Sequence, residues 1–217
     1  MDTEIKFCGL TRRDDANHAA ALGAAYVGVI FAGGPRVLTP DRARDVLDDI
    51  PDSVQRVGVF ANQSDDEIER AVDIVDLDVV QLHSEWDPQR VRRLVQRLDR
   101  EVWPVVRVEG TNLPDWIAEA FRIGDAVLLD AYVAGALGGT GVALPWAQLS
   151  ARLSSLRDSA RLVLAGGLKP ENVAIAIAAL SPDVVDVSSG VESAPGIKDH
   201  DRMRAFRDAV THASVST

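Results

Sequence analysis

Eight short apolar runs, each followed by a turn and then an amphipathic stretch, pace this chain from end to end. The runs are 4–8 (EIKFC), 26–31 (YVGVIF), 55–60 (QRVGVF), 78–82 (DVVQL), 102–107 (VWPVVR), 126–129 (AVLL), 161–164 (RLVL) and 184–187 (VVDV). They are rich in Val, Ile and Leu, as parallel strands covered on both faces should be. Helical patterns lie between them. Thr11 is placed to cap 12–22, Thr39-Pro40 to open 40–49, and Ser64 to start a capping box over 65–74. Asp87-Pro88 opens 88–98, Asn112 or Thr111 opens 113–122, and Pro145 opens 145–155. Pro170 opens 170–180, and Asp199 or His200 opens 200–211. Eight β–α units in 217 residues predict a closed (β/α)8 TIM barrel, an α/β fold in which 1–217 is a single domain. The alternative is a doubly wound open sheet. It is disfavoured because no Gly-x-Gly-x-x-Gly follows the first run and no shift in composition marks a second domain.

Charge narrows the choice of partner. The chain has 23 Lys+Arg against 33 Asp+Glu, a net charge of −10. Such a field repels nucleic acid and anionic membranes. A phosphorylated small molecule is still admissible if a few cations or backbone N–H groups make a local positive site. The one cysteine, Cys8, rules out an internal disulfide and fits a reducing compartment. Met1-Asp2-Thr3-Glu4 has no secretory pattern, and no apolar run approaches the roughly 18 residues of a membrane span. These features predict a soluble, cytoplasmic protein with a small-molecule substrate and neither nucleic-acid nor membrane partner. Monomer and homodimer are both open. Four histidines without ligand spacing predict no metal, and four scattered tryptophans without basic neighbours predict no stacking platform for single strands.

In a barrel the chemistry stands at the C-terminal strand ends and in the loops after them. Cys8-Gly9 follows the first run. A lone thiol there is either core filler or, in a cationic setting, a base. Arg36 follows Gly33-Gly34-Pro35 and could fork onto a carboxylate, or be solvated. Gln81 and His83 end the fourth unit, His83 being a candidate for a pocket hydrogen bond. Asp130 ends the apolar AVLL run. Its carboxyl is half desolvated, which favours the acid form, although a loop cap is the plainer reading. After it comes a Gly-rich stretch, 130–144, a candidate mobile loop that contains Gly139. Gly166-Gly167 and Ser188-Ser189-Gly190 end the seventh and eighth units. Their backbone N–H groups, with a short helix near 190–193, could cradle a phosphate, or the glycines could simply make tight turns. Lys6 shares parity with Cys8, so if Cys8 faces inward, Lys6 does too and needs a counter-ion. Asp186, on the neighbouring last strand, predicts a Lys6–Asp186 ion pair beneath the site; the alternative is a lysine snorkelling to the rim.

Taken in order, these residues resemble the phosphoribosylanthranilate isomerases of the tryptophan pathway. The resemblance rests on Lys6-Phe7-Cys8-Gly9-Leu10-Thr11, Pro35-Arg36, Val57-Gly58-Val59-Phe60 and Val80-Gln81-Leu82-His83. It continues through Leu128-Leu129-Asp130, Gly138-Gly139-Thr140-Gly141, Gly166-Gly167-Leu168, Pro170-Glu171-Asn172-Val173 and Val185-Asp186-Val187-Ser188-Ser189-Gly190-Val191-Glu192. Pro195-Gly196 and Lys198-Asp199 complete it. It implies an isomerase without cofactor that carries out an Amadori rearrangement on N-(5-phosphoribosyl)anthranilate. Cys8 would be the base, Asp130 the acid, Arg36 the grip on the anthranilate carboxylate, and 166–167 with 188–190 the phosphate site. The chain departs from the family pattern at Ser84, at Gly34 before Pro35, and at Val142-Ala143-Leu144-Pro145 before Trp146. The histidine-pathway aminoaldose isomerases resemble it less, because an aspartate stands there in place of Cys8. Indole-glycerol-phosphate synthases lack the cysteine as well. A phosphate-binding protein that has lost catalysis is a rival of another class.

Overall fold

The first strand, β1 (Glu4–Phe7), lies between β2 (Tyr26–Ile30) and the last barrel strand, β8 (Val184–Val187), and this closes the sheet on itself. The computed structural model describes residues 2–132, 146–157 and 160–215. Between these strands run β3 (Gln55–Phe60), β4 (Val79–Leu82), β5 (Glu101–Glu109), β6 (Ala126–Tyr132) and β7 (Arg161–Ala165), all parallel and each beside its sequence neighbours. The helices are α1 (Arg13–Ala21), α2 (Pro40–Leu47), α3 (Asp65–Val75), α4 (Pro88–Leu98), α5 (Ile117–Ile123), α6 (Trp146–Leu156), α7 (Val173–Leu180) and α8 (His200–Val215). The expected (β/α)8 barrel is therefore the observed fold.

Several helix starts follow the expected chemistry. Ser64 and Glu67 form the reciprocal capping box of α3, Asp87 accepts from Gln89 and Arg90 N–H, and Asp199 accepts from Asp201 and Arg202 N–H. Three starts differ. Thr11 does not cap α1, because its hydroxyl donates to the carbonyl of Gly196 instead. Helix α7 begins at Val173 rather than Pro170, since Lys169 and Asn172 first close a turn through their backbones and the Asn172 side chain. Helix α5 begins at Ile117, after a turn in which Ile117 N–H donates to Pro114. An antiparallel hairpin of β9 (Glu192–Ala194) and β10 (Ile197–Lys198) also follows a 3-10 turn at Ser189–Val191. No apolar period announces these two- and three-residue strands.

The strands alternate between two cores. One parity, with Ile5, Phe7, Val27, Val29, Val185 and Val187, packs outward under the helices. The other, with Tyr26, Val57, Val79, Trp103, Leu128 and Val184, fills the barrel. The floor is aromatic. Tyr26 meets Trp103 edge-on at 5.0 Å, and Arg161 reaches both Tyr26 Oη and Glu101. Burial raises the Tyr26 phenol to about 12.

Inside this apolar lining the register sets Lys6 opposite Asp186, and Lys6 Nζ donates to Asp186 Oδ2 at 2.7 Å. Lys6 has no exposed surface, so the expected ion pair forms and the snorkelling alternative does not. Burial alone would lower the lysine's pKa. Asp186 and Cys8 beside it pull it up further, and the net shift is upward. Lys6→Met is expected to cost about 3–5 kcal/mol, because Asp186 is left buried without its counter-ion. The double variant Lys6→Met/Asp186→Leu should recover most of that. Urea unfolding of the two checks this, and a neutral single variant would show that the pair does not hold the closure.

Candidate active site

Strand parity gathers the polar side chains at the C-terminal mouth. Val79, Val105, Leu128 and Val184 face the barrel interior. Residues two positions on, Gln81, Arg107, Asp130 and Asp186, therefore face the same space one layer higher, and Cys8 stands likewise above Lys6.

Cys8 lies just past β1, buried, with its N–H on the Val187 carbonyl at 2.9 Å. Burial pushes its thiol up, Lys6 pulls it down, Asp186 pushes it up and Lys198 pulls it down; the net shift is upward. Asp130 does not end its strand as expected. Strand β6 runs on to Tyr132, because β5 also extends and pairs with it through Arg107–Asp130 and Glu109–Tyr132. Its carboxyl is raised, by burial first and then by Asp186, against the opposing pull of Arg107. His83 falls to about 4 through burial, Lys6 and Arg107, so its ring is neutral near pH 7. The ring Nε2 lies 2.8 Å from Gln81 Nε2, so it accepts from the amide and carries its own proton on Nδ1. Two buried acceptors, Gln81 Oε1 and Asp186 Oδ1, have no hydrogen-bond partner among the described residues.

Arg36 already holds a carboxylate, that of Glu192, through Nε at 2.7 Å and Nη2 at 2.5 Å. It crosses directly over Gly9. A Cβ there would come within 2.7 Å of Arg36 Cδ and 2.9 Å of Ser188 Oγ, and Gly9 has a φ of 71°. Only glycine meets both conditions. The loops after β7 and β8 also touch. A Cβ on Gly190 would sit 1.9 Å from the Leu168 carbonyl oxygen. Asn172 Nδ2 holds the Gly167 carbonyl at 3.0 Å. The segments 166–168 and 188–190 thus meet through Leu168 and Gly190, and Ser188 stands beside Gly9 and Arg36. Gly139 and the rest of the Gly-rich stretch after Tyr132 lie outside the described residues.

Three side chains were given no role by sequence reasoning. Arg107 could have been found by parity, two residues beyond Val105. Glu192 and Lys198 carry no periodic signal, since they stand on the short hairpin. Lys198 Nζ donates to Cys8 O at 2.6 Å, Ser188 O at 3.0 Å and Glu192 Oε1 at 2.9 Å. On the rim, Trp86 and Trp116 stack on one another at 4.7 Å, so two of the tryptophans are not scattered. Among the described residues no group of three His, Cys, Asp or Glu could hold a metal ion.

Comparison with known proteins agrees with this geometry. The family model for N-(5'phosphoribosyl)anthranilate (PRA) isomerase matches residues 5–209. A Nitrosococcus oceani N-(5'-phosphoribosyl)anthranilate isomerase is 38% identical over 97% of this chain and 98% of its own. The crystal structure of phosphoribosyl anthranilate isomerase from Thermotoga maritima superposes with a TM-score of 0.87 at 34% identity, covering 97% of this chain and 99% of that one. Another phosphoribosyl anthranilate isomerase structure, in complex with reduced 1-(o-carboxyphenylamino)-1-deoxyribulose 5-phosphate, superposes at 0.84 with 33% identity and the same coverage. A barrel closed by Lys6 and Asp186, a thiol and a carboxyl at its mouth, and a family match over nearly its whole length lead to one conclusion: this chain is an isomerase and belongs to the N-(5'-phosphoribosyl)anthranilate isomerase family.

Proposed function

We propose that this chain converts N-(5-phosphoribosyl)anthranilate into 1-(2-carboxyphenylamino)-1-deoxyribulose 5-phosphate in tryptophan biosynthesis, with Asp130 as general acid and Cys8 as general base. The observation that carries this reading is geometric: the only thiol stands just past β1 beside the Lys6 ammonium, and the Asp130 carboxyl stands near the end of β6 at the same barrel mouth, in a setting that favours its acid form.

The chemistry needs both groups. Asp130 gives its proton to the ring oxygen of the ribose, the bond from that oxygen to C1′ breaks, and a protonated Schiff base forms at C1′. Cys8 as thiolate removes the proton from C2′. That electron pair becomes the C1′–C2′ double bond and neutralises the iminium. The enolamine then gains a proton at C1′ and loses the hydroxyl proton at C2′. C1′ is reduced as C2′ is oxidised, so no external oxidant is involved. Gln81 Oε1 and Asp186 Oδ1 suit the sugar hydroxyls, because a buried acceptor left unpaired costs about 1–3 kcal/mol. Neutral His83 holds the Gln81 amide in place. The segments 166–167 and 188–190 receive the phosphate, and Arg36 the anthranilate carboxylate.

The active form carries Asp130 protonated and Cys8 ionised. From ordinary values of 3.8 and 9.0 both groups move up, and the active form grows as the two values approach one another. Its share depends on the gap between the two and is constant between them. Raising Asp130 enlarges that share. Lys6 and Lys198 also enlarge it by pulling Cys8 down.

Cys8→Ala and Asp130→Ala are each expected to lower kcat by about 10²–10⁴ with folding intact, the usual worth of one proton-transfer group. A fluorescence assay following loss of the anthranilate signal measures this, and near-wild-type turnover in either variant would end its assigned role. The kcat/KM profile of the free enzyme should be flat near neutrality. Its acid limb should lie above the ordinary aspartate range and its alkaline limb above the ordinary thiol range. Limbs at the unshifted positions would contradict the two environments described above.

A further inference from the structure

We propose that Lys198 is a positioning residue for the carboxylate end of the substrate. It supplies the positive charge left over once Glu192 is shared with Arg36, and this lets Arg36 receive a second carboxylate while Glu192 already holds it. The inference rests on the isomerase reading given above.

Arg36 is poorly placed to attract an anion by itself. Two of its five N–H donors are taken by Glu192, whose side chain is only 4% exposed. Alone, that pair is neutral. Lys198 changes the sum. Its ammonium has no exposed surface and meets three acceptors, the carbonyls of Cys8 and Ser188 and Oε1 of Glu192. A neutral amine has two hydrogens and could satisfy only two of them. Three short contacts require the protonated form. Arg36, Glu192 and Lys198 therefore carry +1 together, beside Cys8 and inside a chain of net charge −10. The donors left on Arg36 give that charge its direction.

The cluster is held from several sides. Lys198 N–H donates to the buried Asp15 of α1 at 3.1 Å, and Arg202 of α8 donates to the Glu192 carbonyl at 2.8 Å. Glu192 Oε1 accepts from Arg36 and Lys198 at once, and from Gly196 N–H at 3.3 Å. One ammonium thus joins the loop of the proposed base, the first residue of the proposed phosphate loop and, through Glu192, the carboxylate grip.

The test is calorimetric binding, which is independent of proton transfer at Cys8. Two probes are used: reduced 1-(o-carboxyphenylamino)-1-deoxyribulose 5-phosphate, and the same molecule with hydrogen in place of the carboxylate. Lys198→Met should weaken the carboxylate probe roughly tenfold to a hundredfold, as expected for one lost buried charge nearby, and leave the second probe within about twofold. Glu192→Gln makes the cluster +2 and should not weaken the carboxylate probe. Lys198→Met/Glu192→Gln returns it to +1 and should restore most of the affinity. Equal weakening of both probes in Lys198→Met, or of neither, would overturn the proposal. If that single variant does not fold, a double variant or Glu192→Gln that binds the carboxylate probe at least tenfold more weakly than wild type overturns it as well. Wild-type turnover of phosphoribosylanthranilate is measured alongside. Its absence would fell the isomerase reading and this inference with it, whereas turnover without the carboxylate effect would fell this inference alone.

Discussion

A lysine with no access to water is paired across the seam that closes this barrel. Lys6 and Asp186 face each other across the seam between β1 and β8, in a lining that is otherwise largely apolar. Neither charge is tolerable there alone. A one-residue slip of either strand is therefore disfavoured, since it would turn that strand's charge into the helix layer and leave the other buried without its partner. The same pair sets the electrostatics above it. Lys6 draws the Cys8 thiol down against its burial, and Asp186 pushes the Asp130 carboxyl up. Closure of the sheet and the proposed chemistry thus share one ion pair.

The parts of this molecule that repeat were legible in the sequence. Parallel strands buried on both faces leave unmistakable Val, Ile and Leu runs, and the eight of them imply a barrel. Inside a barrel the two-residue period is strict, so the Lys6–Asp186 pair followed from parity and from the adjacency of first and last strands. Cys8 and Asp130 stood out because a polar group at the end of an apolar run needs a reason. What was hidden lacks a period. Strands β5 and β6 continue through Arg107 and Asp130 because they pair with each other, a contact no single strand reveals. Glu192 is 156 residues from Arg36, and nothing local to either predicts the fork that joins them. The hairpin that carries Glu192 and Lys198 is too short for any pattern to show.

The charge balance of the chain conceals its site in a similar way. A net charge of −10 describes the surface, where carboxylates outnumber cations. Around Cys8 the balance reverses over a few ångströms, with Lys6, Lys198 and Arg36 converging from three different elements. A small anion that enters the mouth meets an environment of opposite sign from the one that macromolecules meet outside.

The seam also has a history during synthesis. Lys6 and Asp186 are 180 residues apart, so at about 5–20 residues per second β1 leaves the ribosome roughly ten to forty seconds before its partner. Throughout that interval one side of β1 is an open edge, with Ile5 and Phe7 waiting for their helix layer. Exposed edges of this kind recruit strands from other chains, and a charged side chain on the edge is what discourages them. Before its partner strand exists, Lys6 would be in water on that edge, a charge of the kind that discourages association between nascent chains. By this rule the residue that ends as a buried counter-ion is also the one that would shield the unfinished barrel until the strand that buries it arrives.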